Sequence, residues 1–165
     1  MWSPDRRTLL AGAALLALGG CGYRPALGRR TESRALLGRT RVVTPEGRIG
    51  FALGESLRSR LGAGGASADH RLEADLAVSE SGLAITSDSA VTRFVLRGTS
   101  RWRLTGPQAG EEGLSGTAES STAYSATASL YATRAAQRDA ESRLARDIGE
   151  RIATTILAQL GTEMS

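Results

Sequence analysis

Apolar residues recur with two different periods along this chain, and the switches between them mark its elements. Ile49, Leu53, Leu57 and Leu61 return every four residues until Gly62, with Thr44 and Pro45 ahead of them as N-cap and first helical residue, so a helix is predicted there. From Leu72 the period drops to two. Leu72, Ala74, Leu76 and Val78 alternate with Arg71, Glu73, Asp75 and Ala77, the pattern of a half-buried strand. Gly82 breaks the phase, because Leu83 and Ile85 are apolar on the opposite parity, which predicts a bulge. The clearest strand is Val91–Leu104. Its even positions include Phe94, Leu96, Trp102 and Leu104, while its odd positions are Val91, Arg93, Val95, Arg97, Thr99, Arg101 and Arg103, so one face is core and the other basic. Leu114–Tyr124 is a weaker strand of Ser, Thr and Ala, and Arg39–Val43 a short first one. From Leu130 to Leu160 the four-residue step returns through Ala136, Ala140, Leu144, Ile148, Ile152, Ile156 and Leu160. Such a stripe drifts around a 3.6-residue helix unless Ala153 and Leu157 recentre it.

The order βαβββα implies an α+β fold: a two-layer sandwich in which two helices cover one face of a four-stranded mixed sheet. The first two strands are expected to flank a crossover helix and the last three to form a meander. A turn near Asp88 gives an antiparallel register with Leu72 opposite Leu104 and Ala74 opposite Trp102. The same register sets Asp75 opposite Arg101 and Glu73 opposite Arg103, cross-strand pairs that would neutralise half of the basic face.

The N-terminus carries a different signal. Arg6 and Arg7 precede the apolar run Leu9–Leu18, followed by Gly19, Gly20 and Cys21. Ten apolar residues fall short of the roughly 20 that span a bilayer as a helix, so residues 1–20 read as a cleaved signal peptide. Leu18–Cys21 resembles the lipobox of bacterial lipoproteins. That resemblance implies cleavage before Cys21 and a covalent lipid there, an S-diacylglycerol and an N-acyl chain such as palmitate. Several chains matter because one acyl chain holds a protein only marginally. An ordinary secretory signal with an incidental Cys is the alternative. Asp5–Leu10 also resembles a twin-arginine export signal, although a general secretory signal uses two such charges as well. Gly22 stands where lipoproteins kept in the inner membrane often have Asp, which points to the periplasmic side of the outer membrane. The expected organisation is residues 21–38 as acylated terminus and tether, 39–161 as one domain, and 162–165 as a tail.

Composition narrows the chemistry. The chain has 165 residues, 41% hydrophobic and 23% charged, as expected of a globular domain. One Cys and one His supply neither a disulfide nor a structural zinc site. His70 alone leaves no usual nucleophile–base arrangement, so no enzyme, metal or cofactor is expected; beside its Gly-rich loop His70 reads as a solvated residue. Gly62, Gly64 and Gly65 do not follow a strand and open a helix, so no phosphate-cradling loop is supported. All 21 basic residues are Arg, and residues 22–62 hold nine of them against Glu32, Glu46 and Glu55. A basic segment beside an acylated Cys suits an anionic lipid surface, or is solvated linker. Nucleic acid is not an expected partner.

Several short stretches, in their order, resemble the LptE family of lipopolysaccharide-assembly lipoproteins. They are Cys21–Pro25 (CGYRP), Leu114–Ala118 (LSGTA), Tyr124 and Ser125, Tyr131–Thr133, and Asp139–Glu141 with Arg143. The resemblance implies two helices on a four-stranded sheet. It implies as well a non-enzymatic outer-membrane subunit that plugs the β-barrel LptD, assists its assembly, and binds lipopolysaccharide for insertion in the outer leaflet. An autonomous envelope lipoprotein binding anionic glycan or lipid without a barrel is the alternative. By spacing alone, Arg93, Arg97, Arg101 and Arg103 are the candidates to meet lipopolysaccharide phosphates, because guanidinium forks match phosphate oxygens. Trp102 is expected in the core, and Tyr124 and Tyr131 as packing residues or barrel contacts.

Overall fold

The computed structural model describes residues 37–62, 64–65, 68–85, 91–109 and 112–162. The expected signal peptide, Cys21 and nearly all of the tether lie outside these. The elements are β1 (Thr40–Val43), α1 (Arg48–Leu61), β2 (His70–Ala74), β3 (Ala77–Ile85), β4 (Val91–Thr105), a 3-10 turn at Pro107–Ala109, β5 (Leu114–Ser125) and α2 (Leu130–Thr162).

The α+β sandwich is as the patterning predicts, with one subdivision. β1 runs parallel to β2, β2 and β3 lie end to end antiparallel to one side of β4, and β5 pairs antiparallel with the other side. The single strand expected from Leu72 onward is thus split at Asp75–Leu76 into β2 and β3. Asp75 causes the interruption and bridges it. Its N–H donates to the Arg101 carbonyl at 3.0 Å, its carboxylate accepts the Arg101 N–H at 2.5 Å, and its own carbonyl accepts the Ser100 hydroxyl at 2.5 Å. A short Asp side chain competes in this way for backbone groups that a regular ladder would use. The register is unchanged across the break: Leu72 faces Leu104, Ala74 faces Trp102 and Gly82 faces Phe94. The bulge falls at Gly82–Ile85, where the alternation changes parity.

Both helices lie on the face of the sheet that carries the even positions of β4, α2 over β4 and β5 and α1 beside it against α2 and β1. Leu96, Trp102 and Leu104 are buried there against Leu53, Leu57 and Leu61 of α1 and Leu144, Ile148, Ile152 and Ile156 of α2. Ala145 and Ala153 are also buried, so small residues widen the α2 stripe from its middle onward and offset the drift. Close approach demands glycine at two places. A Cβ on Gly98 would stand 2.7 Å from Ile148 Cδ1, and one on Gly149 would stand 2.8 Å from Ser56 Cβ, where Ser56 Oγ donates to the Arg146 carbonyl at 2.9 Å. Arg48 clamps the two helices as well, donating to the Arg138 carbonyl at 2.9 Å and to Ser142 Oγ at 3.1 Å while pairing with Glu141.

The start of α1 differs from the expected Thr44 cap. The helix begins at Arg48 behind Gly47, whose φ of 95° favours glycine, and no side chain caps it. Pro45 instead folds back over the helix, so that a Cβ on Gly50 would collide with the Pro45 carbonyl oxygen. Thr44 is no cap; its hydroxyl lies over the body of the helix, where a Cβ on Gly54 would stand 3.0 Å from it.

Candidate functional site

The outward face of β4 presents Arg93, Arg97, Arg101 and Arg103, all exposed and opposite in direction to the buried even positions. Strand rise puts Arg101 and Arg103 about 7 Å apart and Arg93 and Arg97 about 13 Å apart. Small polar residues flank them: the register sets Arg93 beside Ser125, Arg97 between Ser79 and Ser121, Arg101 beside Thr117, and Arg103 beside Ser115. Arg41 and Arg71 lie in register on β1 and β2, Arg41 exposed and Arg71 ion-paired with Glu73.

The cross-strand ion pairs do not form, although the register that would allow them does. Glu73 stands opposite Arg103, but its carboxylate binds Arg71 at 2.6 Å. Asp75 spends its carboxylate on the Arg101 backbone N–H. Arg103 donates to the Glu112 carbonyl at 2.8 Å, a neutral acceptor that leaves its charge uncompensated. Among the described residues, none of Arg93, Arg97, Arg101 and Arg103 has an ion pair. The four guanidinium groups outnumber the carboxylates set among them, Glu119 opposite Thr99 and Asp75 beside Arg101, so the face is net positive over a hydroxyl-rich sheet and suited to anions with several acceptor oxygens. At one end of this face a cleft of about 490 Å³ opens between Val43, Pro45, Glu73, Asp75, Arg101 and Arg103.

The tyrosines divide. Tyr124 is buried, stacks on Phe94 with ring centroids 5.1 Å apart, and donates to Glu80 Oε2 at 2.9 Å. Burial, then the Glu80 carboxylate, pushes its hydroxyl up to about 12. Tyr131 is 85% exposed beside Leu130 at 78%. Their turn is held by hydrogen bonds: the Ser129 hydroxyl accepts the Ala132 N–H at 3.3 Å, and Thr133 Oγ1 accepts the Thr127 N–H at 3.0 Å. This display of two large side chains is not legible in the sequence, since the i,i+4 stripe marks the buried face only.

His70 corrects the sequence reading. It is the first residue of β2, 2% exposed, rather than solvated. Its Nδ1 lies 2.7 Å from Asp69 Oδ1 without hydrogen-bonding alignment, and its ring packs where a Cβ on Gly106 would reach within 2.6 Å of Cδ2. Its parity matches Leu72 and Ala74, and that was the available signal. Trp102 is buried as expected, its indole lying over Gly116. Where α2 meets β5, Asp147 accepts from Ser120 and from Arg151 at 3.0 Å, and the Ser120 bond leads in holding its carboxyl below the usual range. Among the described residues no His, Cys, Asp and Glu cluster has metal-ligand geometry, and no helix is long and apolar enough to cross a membrane.

Comparison with known proteins meets this geometry from outside. The family model LptE, Lipopolysaccharide-assembly, matches residues 38–156. No curated protein sequence matches the chain. Among solved structures, a Caulobacter crescentus CB15 protein assigned as a lipoprotein superposes with a TM-score of 0.62 at 28% identity, over 79% of this chain and 97% of its own. Rare lipoprotein B of Shewanella oneidensis gives 0.55 at 12% identity, over 73% and 94%. A minor lipoprotein of Acinetobacter baumannii gives 0.52 at 13%, over 75% and 94%. The last two show likeness of fold.

Proposed function

Because this chain belongs to the LptE family of lipopolysaccharide assembly, we propose that it is an outer-membrane lipoprotein that plugs the LptD barrel, assists its assembly and binds lipopolysaccharide. The lipid on Cys21 holds it on the periplasmic side, through an S-diacylglycerol and an N-acyl chain. The chain carries out no chemistry on its ligand. It contributes shape and charge, and the reading is supported above all by the exposed guanidinium groups of Arg93, Arg97, Arg101 and Arg103, none of which has an ion pair among the described residues.

The physical work follows from that face. A lipid A-type headgroup brings clustered phosphates, and an Arg fork binds two of their oxygens at once while neighbouring Ser and Thr hydroxyls donate to others. Repulsion among four like charges on one strand is relieved when an anion arrives, so binding gains from the field that the free protein sustains. Each Arg near an anionic surface is worth about 1 kcal/mol, and tenfold in affinity costs about 1.4 kcal/mol. Neutralising Arg93 and Arg97 together should therefore weaken binding about 30-fold.

Three measurements test the reading. Purification in detergent should yield a stoichiometric complex with LptD, whereas a lone monomer would favour an autonomous anionic-lipid binder. Mass spectrometry of the processed chain should find Cys21 first and acylated. Arg93→Glu/Arg97→Glu should lose lipopolysaccharide binding with an unchanged far-UV spectrum; unchanged binding would remove the site from this face.

A further inference from the structure

The cleft beside the end of β1 holds opposite charges that do not meet each other. It measures about 490 Å³ and lies between Val43 and Pro45 on one side and Glu73, Asp75, Arg101 and Arg103 on the other. Glu73 is satisfied by Arg71, so Asp75 is the acid, and Arg101 and Arg103 the bases, that have no ion pair among the described residues. Asp75 faces Arg101, yet its Oδ1 accepts the Arg101 backbone N–H at 2.5 Å and its own N–H donates to the Arg101 carbonyl at 3.0 Å. The carboxylate is thereby pinned along the strand and makes no ion pair with the guanidinium. Its other oxygen accepts from no described group, and the residue is exposed. Val43, in register with Glu73 and partly exposed, gives the cleft an apolar wall.

A carboxylate between two guanidinium groups discriminates among phosphates. A phosphomonoester, with about two negative charges, is drawn by the arginines and repelled by Asp75 at a similar distance. A phosphate that carries an ammonium arm meets both signs at once: its oxygens take the Arg forks, and its ammonium donates to the open Asp75 oxygen. Opposed side chains on neighbouring strands start about 4.5–5.5 Å apart, which is about the span of a phosphate and an ammonium joined by two carbons. Those carbons would lie against Val43 and Pro45. Farther along the face the arrangement differs. Arg97 has Ser79 and Ser121 directly opposite, and Arg93 has Ala84 and Ser125, so no carboxylate stands against either and both suit an unsubstituted phosphate.

We propose that this cleft is a subsite for a phosphate substituted with a primary ammonium, held by Arg101 and Arg103 at its oxygens and by Asp75 at its nitrogen. The inference rests on the reading of this face as the lipopolysaccharide-binding surface, and it divides that surface into an unsubstituted-phosphate end and a zwitterion end. The group can come from a lipopolysaccharide phosphate that carries ethanolamine or from a phospholipid headgroup; the chemistry that Asp75 recognises is the same in both.

Amide NMR titration of the mature chain in detergent tests this with two diesters that differ in the ammonium, glycerophosphoethanolamine and glycerophosphoglycerol, in EDTA so that no divalent cation bridges Asp75 to a phosphate. The first should shift the amides of Glu73, Asp75, Arg101 and Arg103 and bind about three- to fivefold more tightly, the worth of one partly exposed ion pair. Equal binding overturns the subsite. Asp75→Asn keeps an acceptor for the Arg101 N–H and removes the charge, so it should abolish the preference and bind glycerophosphoglycerol at least as tightly as the unchanged chain does. A preference that survives in this variant also overturns the proposal. Lipopolysaccharide with ethanolamine on its phosphates, and vesicles of phosphatidylethanolamine, separate the two sources: the one whose binding Asp75→Asn weakens supplies the group. If the variant weakens neither, the subsite falls while the function stands on Arg93 and Arg97. A chain that binds no lipopolysaccharide, with or without ethanolamine, overturns the function, and the diesters alone then decide whether the cleft takes a phospholipid headgroup. Should the variant not fold, the diester comparison on the unchanged chain decides.

Discussion

Gly98 offers a quantitative test of how the helical layer is seated on the sheet. It lies in the middle of β4, beneath α2, and a Cβ there would stand 2.7 Å from Ile148 Cδ1 and 3.1 Å from Leu144 Cδ2. Gly98→Ala should gain about 0.5–1 kcal/mol from reduced chain entropy in a strand. Against this, overpacking a close-packed core costs about 1–3 kcal/mol, so the net expectation is a loss of about 1–2 kcal/mol. Ile148→Val deletes the Cδ1 atom itself, and alone should cost about 0.5–1.5 kcal/mol. With Cδ1 gone, the new methyl has space, so in the Ile148→Val background Gly98→Ala should be nearly neutral. The cycle thus predicts a favourable coupling of about 1–2 kcal/mol, read from urea or thermal unfolding of the mature domain. At about 4 °C per kcal/mol for a domain of this size, the double variant should melt near the Ile148→Val single variant rather than well below it. Additivity within about 0.5 kcal/mol would refute the argument, since independent sites behave that way.

Other predictions concern titration and the interhelix clamp. Tyr124 ionises at about 12 in the fold against its ordinary value of 10.0, so the unfolded chain loses its proton first. Its contribution to stability should be complete below pH 10 and fall between 10 and about 12; Tyr124→Phe should remove that decline, in a window that no Lys blurs. Asp147 shifts the opposite way: its contribution is present above the ordinary carboxylate range and lost as pH falls through its lowered folded value. Ser120→Ala should raise that value, measured by NMR titration of the carboxyl. Arg48→Ala should cost about 1 kcal/mol in chemical denaturation, because three contacts to α2 are lost from a half-exposed side chain.

Periodicity by itself decided most of this fold. Where one face of an element is buried, the side-chain period is forced, so the alternation in Val91–Leu104 specified both the basic face and the register that opposes Leu72 to Leu104. The parity change at Gly82 located the bulge for the same reason. Tertiary structure alone decided three things. Which acid meets which base depends on competition for short-range partners: Asp75 closes on a backbone N–H and Glu73 on Arg71, so the face keeps a charge that residue spacing alone would have cancelled. His70 shares the buried parity of Leu72 and Ala74, but the Gly106 turn that covers its ring is distant in sequence, and that contact no local pattern encodes. The open edge of β5 follows from strand order, since a strand's sequence fixes its faces but not how many neighbours it receives.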